Sequence, residues 1–167
     1  MTIVRGGAER IDDLEPLWAA LQEHHAGLAP TLGGLRARSV AESWAVRRAK
    51  YEHALEDPDA FVMVAERSGR PIGYAFVALG EGSSGWVHGE RVADVETLAV
   101  LPEARHRGLG ARLMDAVEAR LAYLGVGEFR VQVIAPNADA LRFYERRGMV
   151  RVTQTLLGRV QGGPAEG

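Results

Sequence analysis

The stretch that decides the fold is Val95–Arg112, which reads VETLAVLPEARHRGLGAR. A strand in its first half is closed by Pro102, and the loop Arg105–Gly110 then leads directly into a helix. The first N–H groups of a helix lack intrahelical partners and lie at the positive end of its dipole, so they bind anions. Gly108 and Gly110 let the backbone approach a diphosphate without an intervening Cβ atom. The segment therefore predicts a phosphate-binding turn, although glycines used only for a tight turn would give the same pattern.

Two other phosphate motifs are excluded at this loop. No Lys-Ser or Lys-Thr pair follows Gly110, so the loop is not a Walker motif. The three glycines of the dinucleotide-binding fingerprint are also missing. The side chains of Arg105 and Arg107 add positive charge beside the glycines, unless they are simply solvated.

Outside this stretch, the hydrophobic pattern changes repeatedly between the periods of strands and helices. The predicted strands are Met1–Arg5, Phe61–Glu66, Pro71–Leu79, Arg91–Leu101, Glu128–Ile134 and Met149–Leu157. The predicted helices are Ile11–His25, Val40–Leu55, Gly108–Leu124 and Asn137–Arg147, with loops at Ala26–Ala37 and Gly80–Gly89. This order predicts a mixed α/β domain in which helices cover the faces of a central sheet.

The composition is that of one ordinary globular domain. The chain has 167 residues, of which 47% are hydrophobic and 25% charged, so it can bury a real core. We expect a single domain over residues 1–160. The remaining residues, 161–167, are expected to form a disordered tail, because they have nothing to bury.

Charge and residue usage exclude several classes of function. The net charge is −2 and the basic residues are scattered, so no nucleic-acid partner is expected. The absence of cysteine removes disulfides, thiolate metal sites and a cysteine nucleophile, and the five histidines lack metal-ligand spacing. No apolar run approaches the ~20 residues that span a bilayer. We therefore expect no metal, no membrane association and a cytoplasmic location.

Two motifs in order resemble the GNAT superfamily of N-acetyltransferases. Arg105-x-x-Gly108-x-Gly110, after the strand ending LAVLP, is similar to its acetyl-CoA signature. Residues Asn137–Met149, NADALRFYERRGM, resemble its second motif, with Met149 where phenylalanine is usual. The resemblance covers roughly residues 2–157. It implies the GNAT fold, a central mixed, mostly antiparallel sheet of six to seven strands flanked by about four helices.

The resemblance also implies acetyl-CoA as the cofactor and a set of residues that bind it. The backbone of the loop would hold the pyrophosphate, and the backbone of Leu98 and Val100 would pair with the pantetheine arm like an extra strand. The alternative is that Leu98 and Val100 are plain core residues. The implied cofactor-binding residues are Leu98, Ala99, Val100, Arg105, His106, Arg107, Gly108, Leu109, Gly110, Ala111, Asn137 and Tyr144.

Two catalytic residues follow from the same resemblance. Tyr144 stands at the position of the general acid that protonates the CoA sulfur, although a tyrosine on a helix is often only a core residue. Glu96 stands where several family members place a carboxylate base, acting directly or through a water.

Each of these roles has an alternative in the sequence. Glu96 could face solvent or pair with Arg91 or Arg130, with Asp94 or Glu90 as substitute bases. Asn137 is a good helix N-cap, which explains its identity without a contact to the cofactor.

The resemblance thus implies an N-acetyltransferase that moves an acetyl group from acetyl-CoA to a primary amine, and we expect the amine to belong to a small molecule. The alternatives are acetylation of a protein N-terminus or lysine, and a non-catalytic acyl-CoA sensor, against which Tyr144 and Glu96 both argue. Acidic residues around Gly80–Gly89 favour a cationic amine. His88 is a candidate substrate contact. A homodimer is common in the superfamily, but no residue pattern here indicates an interface.

Overall fold

The computed structural model describes residues 1–160, which form seven strands and four α-helices. The strands are β1 Thr2–Gly6, β2 Thr31–Leu32, β3 Leu35–Arg36, β4 Phe61–Arg67, β5 Arg70–Gly80, β6 Val92–Val100 and β7 Phe129–Val131. The helices are α1 Glu15–Leu28, α2 Val40–Ala54, α3 Leu109–Tyr123 and α4 Ala138–Arg146. Short 3₁₀ helices cover Ala8–Leu14 and Pro102–Ala104.

Five of these strands form the central sheet, in the order β1-β4-β5-β6-β7. The pairs from β1 to β6 are antiparallel, and only β6 and β7 run parallel. The hairpin between β4 and β5 turns at Ser68 and Gly69, whose φ angles of 51° and 75° match the twist of the strands. The predicted fold class, a mixed and mostly antiparallel sheet with about four helices, is confirmed. The central sheet has five strands within residues 1–160, fewer than the predicted six to seven, because Met149–Leu157 forms no strand and β2 and β3 form a separate sheet.

Both faces of the sheet are buried. Phe61, Met63 and Ala65 of β4 pack toward α3, whereas Val62 and Val64 pack toward α1 and α2. A strand covered on both faces has no polar side, which is why β4 reads as a continuous apolar run. None of the helices within residues 1–160 is long and apolar enough to cross a membrane.

The predicted final strand, Met149–Leu157, is wrong. Residues 149–160 have no regular secondary structure, and Val150, Val152 and Leu156 are exposed. A segment of alternating apolar residues forms a strand only where it can pair with a sheet edge and pack one of its faces. Within residues 1–160, this segment does neither. Arg151 instead pairs with Glu145 at 2.8 Å, at the end of α4.

The predicted loop Ala26–Ala37 contains a small hairpin, β2–β3, that the sequence did not reveal. Its two turn residues, Gly33 and Gly34, have φ angles of 59° and 82°, which glycine adopts without strain. The predicted tail, 161–167, lies outside the described residues.

Candidate active site

The predicted phosphate loop ends in consecutive backbone N–H groups that lack a hydrogen-bond acceptor within residues 1–160. α3 begins at Leu109, and its first intrahelical bond runs from the Arg112 N–H to the Gly108 carbonyl at 3.1 Å. Within residues 1–160, the N–H groups from Gly108 to Ala111 have no acceptor. His106 and Gly108 have positive φ angles of 59° and 73°, which turn successive N–H groups toward one side. Such orphan donors at a helix start fit a diphosphate.

The two arginines of the loop differ. The Nε of Arg105 donates to the Val100 carbonyl at 3.0 Å, which ties the loop back to β6. Arg107 is exposed, as are His106 and Gly108. Of the two arginines predicted to add positive charge, Arg105 therefore also holds the loop in place.

The strand β6 leaves one edge open beside this loop. It pairs with β7 only at Ala93, Asp94 and Val95. Beyond Val95, the β7-facing edge of β6 has no strand neighbour among the described residues, so its backbone groups can accept an extended ligand. The Leu98 and Val100 side chains pack against the core, as their alternative role predicted, and the Val100 carbonyl already accepts from Arg105. Pairing of their backbone with a ligand stays a prediction.

Leu98 and α4 approach each other at Gly110. A Cβ atom placed on Gly110 would lie 3.9 Å from the Leu98 side chain and 3.7 Å from the Phe143 ring. Two ion pairs from Arg147, to Asp115 and Glu118, fasten α4 to α3. The structure thus brings the open strand edge, the phosphate loop and the second motif to one place.

The second motif supplies a cap and a buried phenol. The Oδ1 atom of Asn137 accepts from the Ala140 N–H at 3.1 Å, so the capping role is confirmed. Its amide nitrogen has no acceptor within residues 1–160. Tyr144 is 9% exposed and packs edge-on against Phe143, with 5.0 Å between ring centroids. Burial raises the pKa of Tyr144 to about 12, and its hydroxyl has no hydrogen-bond partner in the same part of the chain.

Glu96 is the extra residue of a β-bulge in β6. Phe76 pairs with Thr97 and Val77 with Val95, so Glu96 has no partner on β5. Bulges re-aim side chains and are over-represented next to active sites. Here Glu96 points toward α2, and its carboxylate accepts from Arg47 at 3.1 Å.

The expected arginine partners of Glu96 are both committed elsewhere. Arg91 pairs with Asp57 and Asp59 instead of Glu96. The guanidinium of Arg130 donates to both oxygens of Asp94, at 2.6 and 2.8 Å, which occupies that substitute base. Glu90, the other substitute, is exposed. Glu96 does pair with an arginine, as its alternative role required, but that arginine is Arg47.

A cleft lies on the α2 side of the bulge. We call it the α2 cleft; it has a volume of about 710 Å³. Glu96 and Asp94 form part of its wall, beside the C-terminal end of α2. Its lining residues are Lys50, Tyr51, His53, Ala54, Glu56, Asp57, Phe76, Ala78, Leu79, Asp94 and Glu96.

Two histidines at the end of α1, His24 and His25, are half-buried. Burial is the main cause that lowers the pKa of His25, and the positive charges of Arg105 and Arg47 add to it. The end of α1 therefore lies within electrostatic range of Arg105 in the loop and of Arg47 on α2.

The predicted substrate contact, His88, bonds elsewhere. Its Nδ1 atom lies 2.8 Å from a carboxylate oxygen of Glu128, just before β7. No group of three His, Asp or Glu residues that could hold a metal lies within residues 1–160.

Comparisons with known proteins agree with this geometry. The acetyltransferase (GNAT) family model matches residues 18–149. A mycothiol acetyltransferase of Amycolatopsis mediterranei is 36% identical over 104 residues, which are 62% of this chain and 34% of that protein. The matches cover only 34% and 44% of the two mycothiol acetyltransferases, so the chain spans less than half the length of these relatives.

Solved structures share the fold at low sequence identity. A mutant of the BH1408 protein from Bacillus halodurans superposes with a TM-score of 0.76, at 17% identity, over 96% of this chain and 100% of that one. Aminoglycoside N-acetyltransferase AAC(6')-Iy, in complex with a CoA-containing bisubstrate analogue, gives a TM-score of 0.67 at 18% identity, over 95% and 97% of the two chains. The family match spans most of the chain, the fold agrees, and the protein therefore belongs to the GNAT family of acetyltransferases.

Proposed function

We propose that this protein is an acetyl-CoA-dependent N-acetyltransferase that acts on a primary amine of a small molecule. One observation carries the proposal. The open edge of β6 leads directly into the orphan N–H groups from Gly108 to Ala111. An extended arm that ends in a diphosphate fits this combination, because the strand edge can pair with the arm and the helix start can hold the anion.

The chain's own groups divide the binding of acetyl-CoA among them. The backbone N–H groups of Arg107, Gly108, Leu109, Gly110 and Ala111 would hold the pyrophosphate, flanked by Arg105 and His106. The backbone of Leu98 and Val100 would pair with the pantetheine amides, with Ala99 between them. The amide nitrogen of Asn137, which its capping bond leaves unused, would donate to the same arm.

The cofactor would supply the acetyl group as a thioester, whose C–S bond breaks as a C–N bond to the acceptor forms. Glu96 would take the proton that the amine loses, directly or through a water. Tyr144 would donate a proton to the departing sulfur and regain one from solvent. Its pKa of about 12 keeps the phenol protonated near neutral pH. No acyl-enzyme is needed, which suits a chain without cysteine.

The α2 cleft favours a small cationic acceptor. It places four carboxylates, Glu56, Asp57, Asp94 and Glu96, against one Lys50. Three of its carboxylates are partly offset by arginines, Asp57 by Arg91, Asp94 by Arg130 and Glu96 by Arg47. A volume of about 710 Å³ suits a small molecule better than a folded protein surface. The names of the relatives, mycothiol and aminoglycoside acetyltransferases, fit the same reading.

A panel of amines tests the proposal. Polyamines, amino acids, aminoglycosides, a lysine peptide and an N-terminal peptide would be incubated with acetyl-CoA, and the release of CoA thiol measured. We expect release with at least one small cationic amine and not with the peptides. Release with the peptides alone would favour protein acetylation, and acetyl-CoA binding without release would favour a sensor. A cytoplasmic location and a homodimer stay predictions.

A further inference from the structure

We propose that Arg47 is a positioning residue for catalysis, which holds the Glu96 carboxylate in the orientation that takes the proton from the acceptor amine. This inference rests on the proposed function. Arg47 lies on α2, 49 residues before Glu96 in the chain, and neither of the GNAT-like motifs includes it.

Two aromatic rings hold the Arg47 guanidinium in place. Its central carbon lies 4.5 Å from the Trp18 ring centroid on α1 and 5.7 Å from the Tyr51 ring centroid on α2. A guanidinium can stack on aromatic faces and still donate in its own plane. The side chain is only 20% exposed, so it is restrained on several sides while one N–H reaches Glu96.

The rings are themselves fixed by buried hydrogen bonds. The indole N–H of Trp18 donates to Ser43 Oγ at 3.1 Å. The Tyr51 hydroxyl bonds to the hydroxyls of Thr97, at 2.5 Å, and Tyr74, at 3.0 Å, and its ring stacks on Phe76. The bond to Thr97 matters most, because Thr97 directly follows the bulge residue. The position of the guanidinium is thus tied to the same strand that carries Glu96.

Glu96 needs such a restraint. Its side chain is 40% exposed, and as the extra residue of the bulge it has no cross-strand neighbour on β5. Arg47 contacts only its Oε2 atom, and within residues 1–160 nothing donates to Oε1. The ion pair therefore fixes the carboxylate by one oxygen and leaves the other for an amine or a bridging water.

Loss of this restraint should lower kcat more than it raises KM. A misplaced base slows proton removal in the transition state, whereas the acceptor still binds the other carboxylates of the α2 cleft. Arg47→Gln should lower kcat by about 10- to 100-fold, the order expected from a misplaced catalytic group. KM should change by less than about threefold, since the substitution leaves the binding of the acceptor in the ground state largely unchanged.

A double-mutant cycle separates positioning from a structural role. The four proteins are the wild type, Arg47→Gln, Glu96→Gln and the double variant, assayed at a pH where the acceptor amine is protonated. If Arg47 acts through Glu96, Arg47→Gln should lower kcat by less than about twofold once Glu96 is replaced, because the two effects are not additive. Arg47→Lys should recover only part of the rate, since an ammonium cannot both stack and donate in this way.

Arg48→Gln is the matched control. Arg48 is the neighbouring residue on α2 but pairs with Asp12 and Glu52 on the outside of the helix, so its loss should leave kcat unchanged. Equal losses of kcat from Arg47→Gln in both backgrounds would overturn the inference. The same applies if Arg47→Gln retains full kcat. A wild type that acetylates no amine would refute the proposed function and this inference with it, whereas an active wild type with an additive cycle would refute the inference alone.

Discussion

Replacing Tyr144 with phenylalanine removes one oxygen atom from the candidate acid and leaves the ring in place. The ring packs against Phe143 and is buried with the α3 core, contacts that phenylalanine would keep. Within residues 1–160, the hydroxyl has no partner that the substitution would leave unpaired. The free energy of unfolding should therefore change by less than about 1 kcal/mol. The affinity for acetyl-CoA should also stay close to that of the wild type.

The size of the kinetic effect follows from the raised pKa of Tyr144. A phenol with a pKa of about 12 is a weaker acid than a thiol, whose ordinary pKa is about 8.5. Full proton transfer to the thiolate is thus uphill by about 3.5 pKa units, or about 5 kcal/mol, before solvent restores the phenol. The contribution should then lie near the lower end of the 10²–10⁴ range for a placed acid, about 10²-fold or about 2.7 kcal/mol.

Steady-state release of CoA thiol with an accepted amine would measure this effect, and calorimetry would measure the affinity for acetyl-CoA. The loss should appear in kcat, because the hydrogen bond strengthens only as charge develops on sulfur. Tyr123→Phe is the control, since Tyr123 is 80% exposed on α3 and should leave kcat unchanged. A Tyr144→Phe protein with full kcat would mean that solvent protonates the thiolate and that Tyr144 is only a core residue.

Three further predictions concern the cofactor and the base. Acetyl-CoA at ~100 times its dissociation constant should stabilise the fold by about 2.7 kcal/mol, and an unchanged melting temperature at saturation would contradict the assignment. Gly108→Ala and Gly125→Ala each put a Cβ into open space at φ angles of 73° and 72°, so both should cost about 1 kcal/mol of stability. In calorimetry, only the Gly108 variant should bind acetyl-CoA more weakly than the wild type. Equal affinities of the two variants would contradict binding of the pyrophosphate at Gly108. Glu96→Gln should lower the rate most at low pH, where the acceptor amine must lose a proton, so a pH-independent ratio to the wild type would exclude Glu96 as the base.

The sequence could predict the glycine-containing turn into α3 and the cap of α4 because both are local. A helix start after two nearby glycines, and an asparagine at an N-cap, are set by backbone geometry within a few residues. The partner of Glu96 could not be predicted in this way. Arg91 and Arg130 were the expected partners, yet packing of α2 on the sheet brings Arg47 to the carboxylate instead. Side-chain pairing across elements depends on tertiary structure that no local pattern encodes.

The final strand could not be excluded from the sequence for a related reason. Residues 149–157 have the alternation of a strand, but a strand also needs a neighbour whose backbone groups are free. β7 is only three residues long and sits at the edge of the sheet, so it offers little to pair with. The strand propensity of residues 149–157 therefore predicted a strand for which the described fold has no pairing partner.

The bulge at Glu96 links the core of the protein to its candidate chemistry. Before the bulge, Ala93 and Val95 face α3; after it, Leu98 and Val100 face α3 while Ala99 packs toward α1 and α2. Strict alternation from Val95 would have turned Leu98 toward α2, away from Gly110 and the phosphate loop. The one extra residue thus shifts which side chains of β6 face α3. In the sequence, the shift is visible as an odd spacing of three between Val95 and Leu98, which both face α3. Glu96 is therefore both the extra residue that aligns the strand with the loop and the residue whose carboxylate faces the α2 cleft.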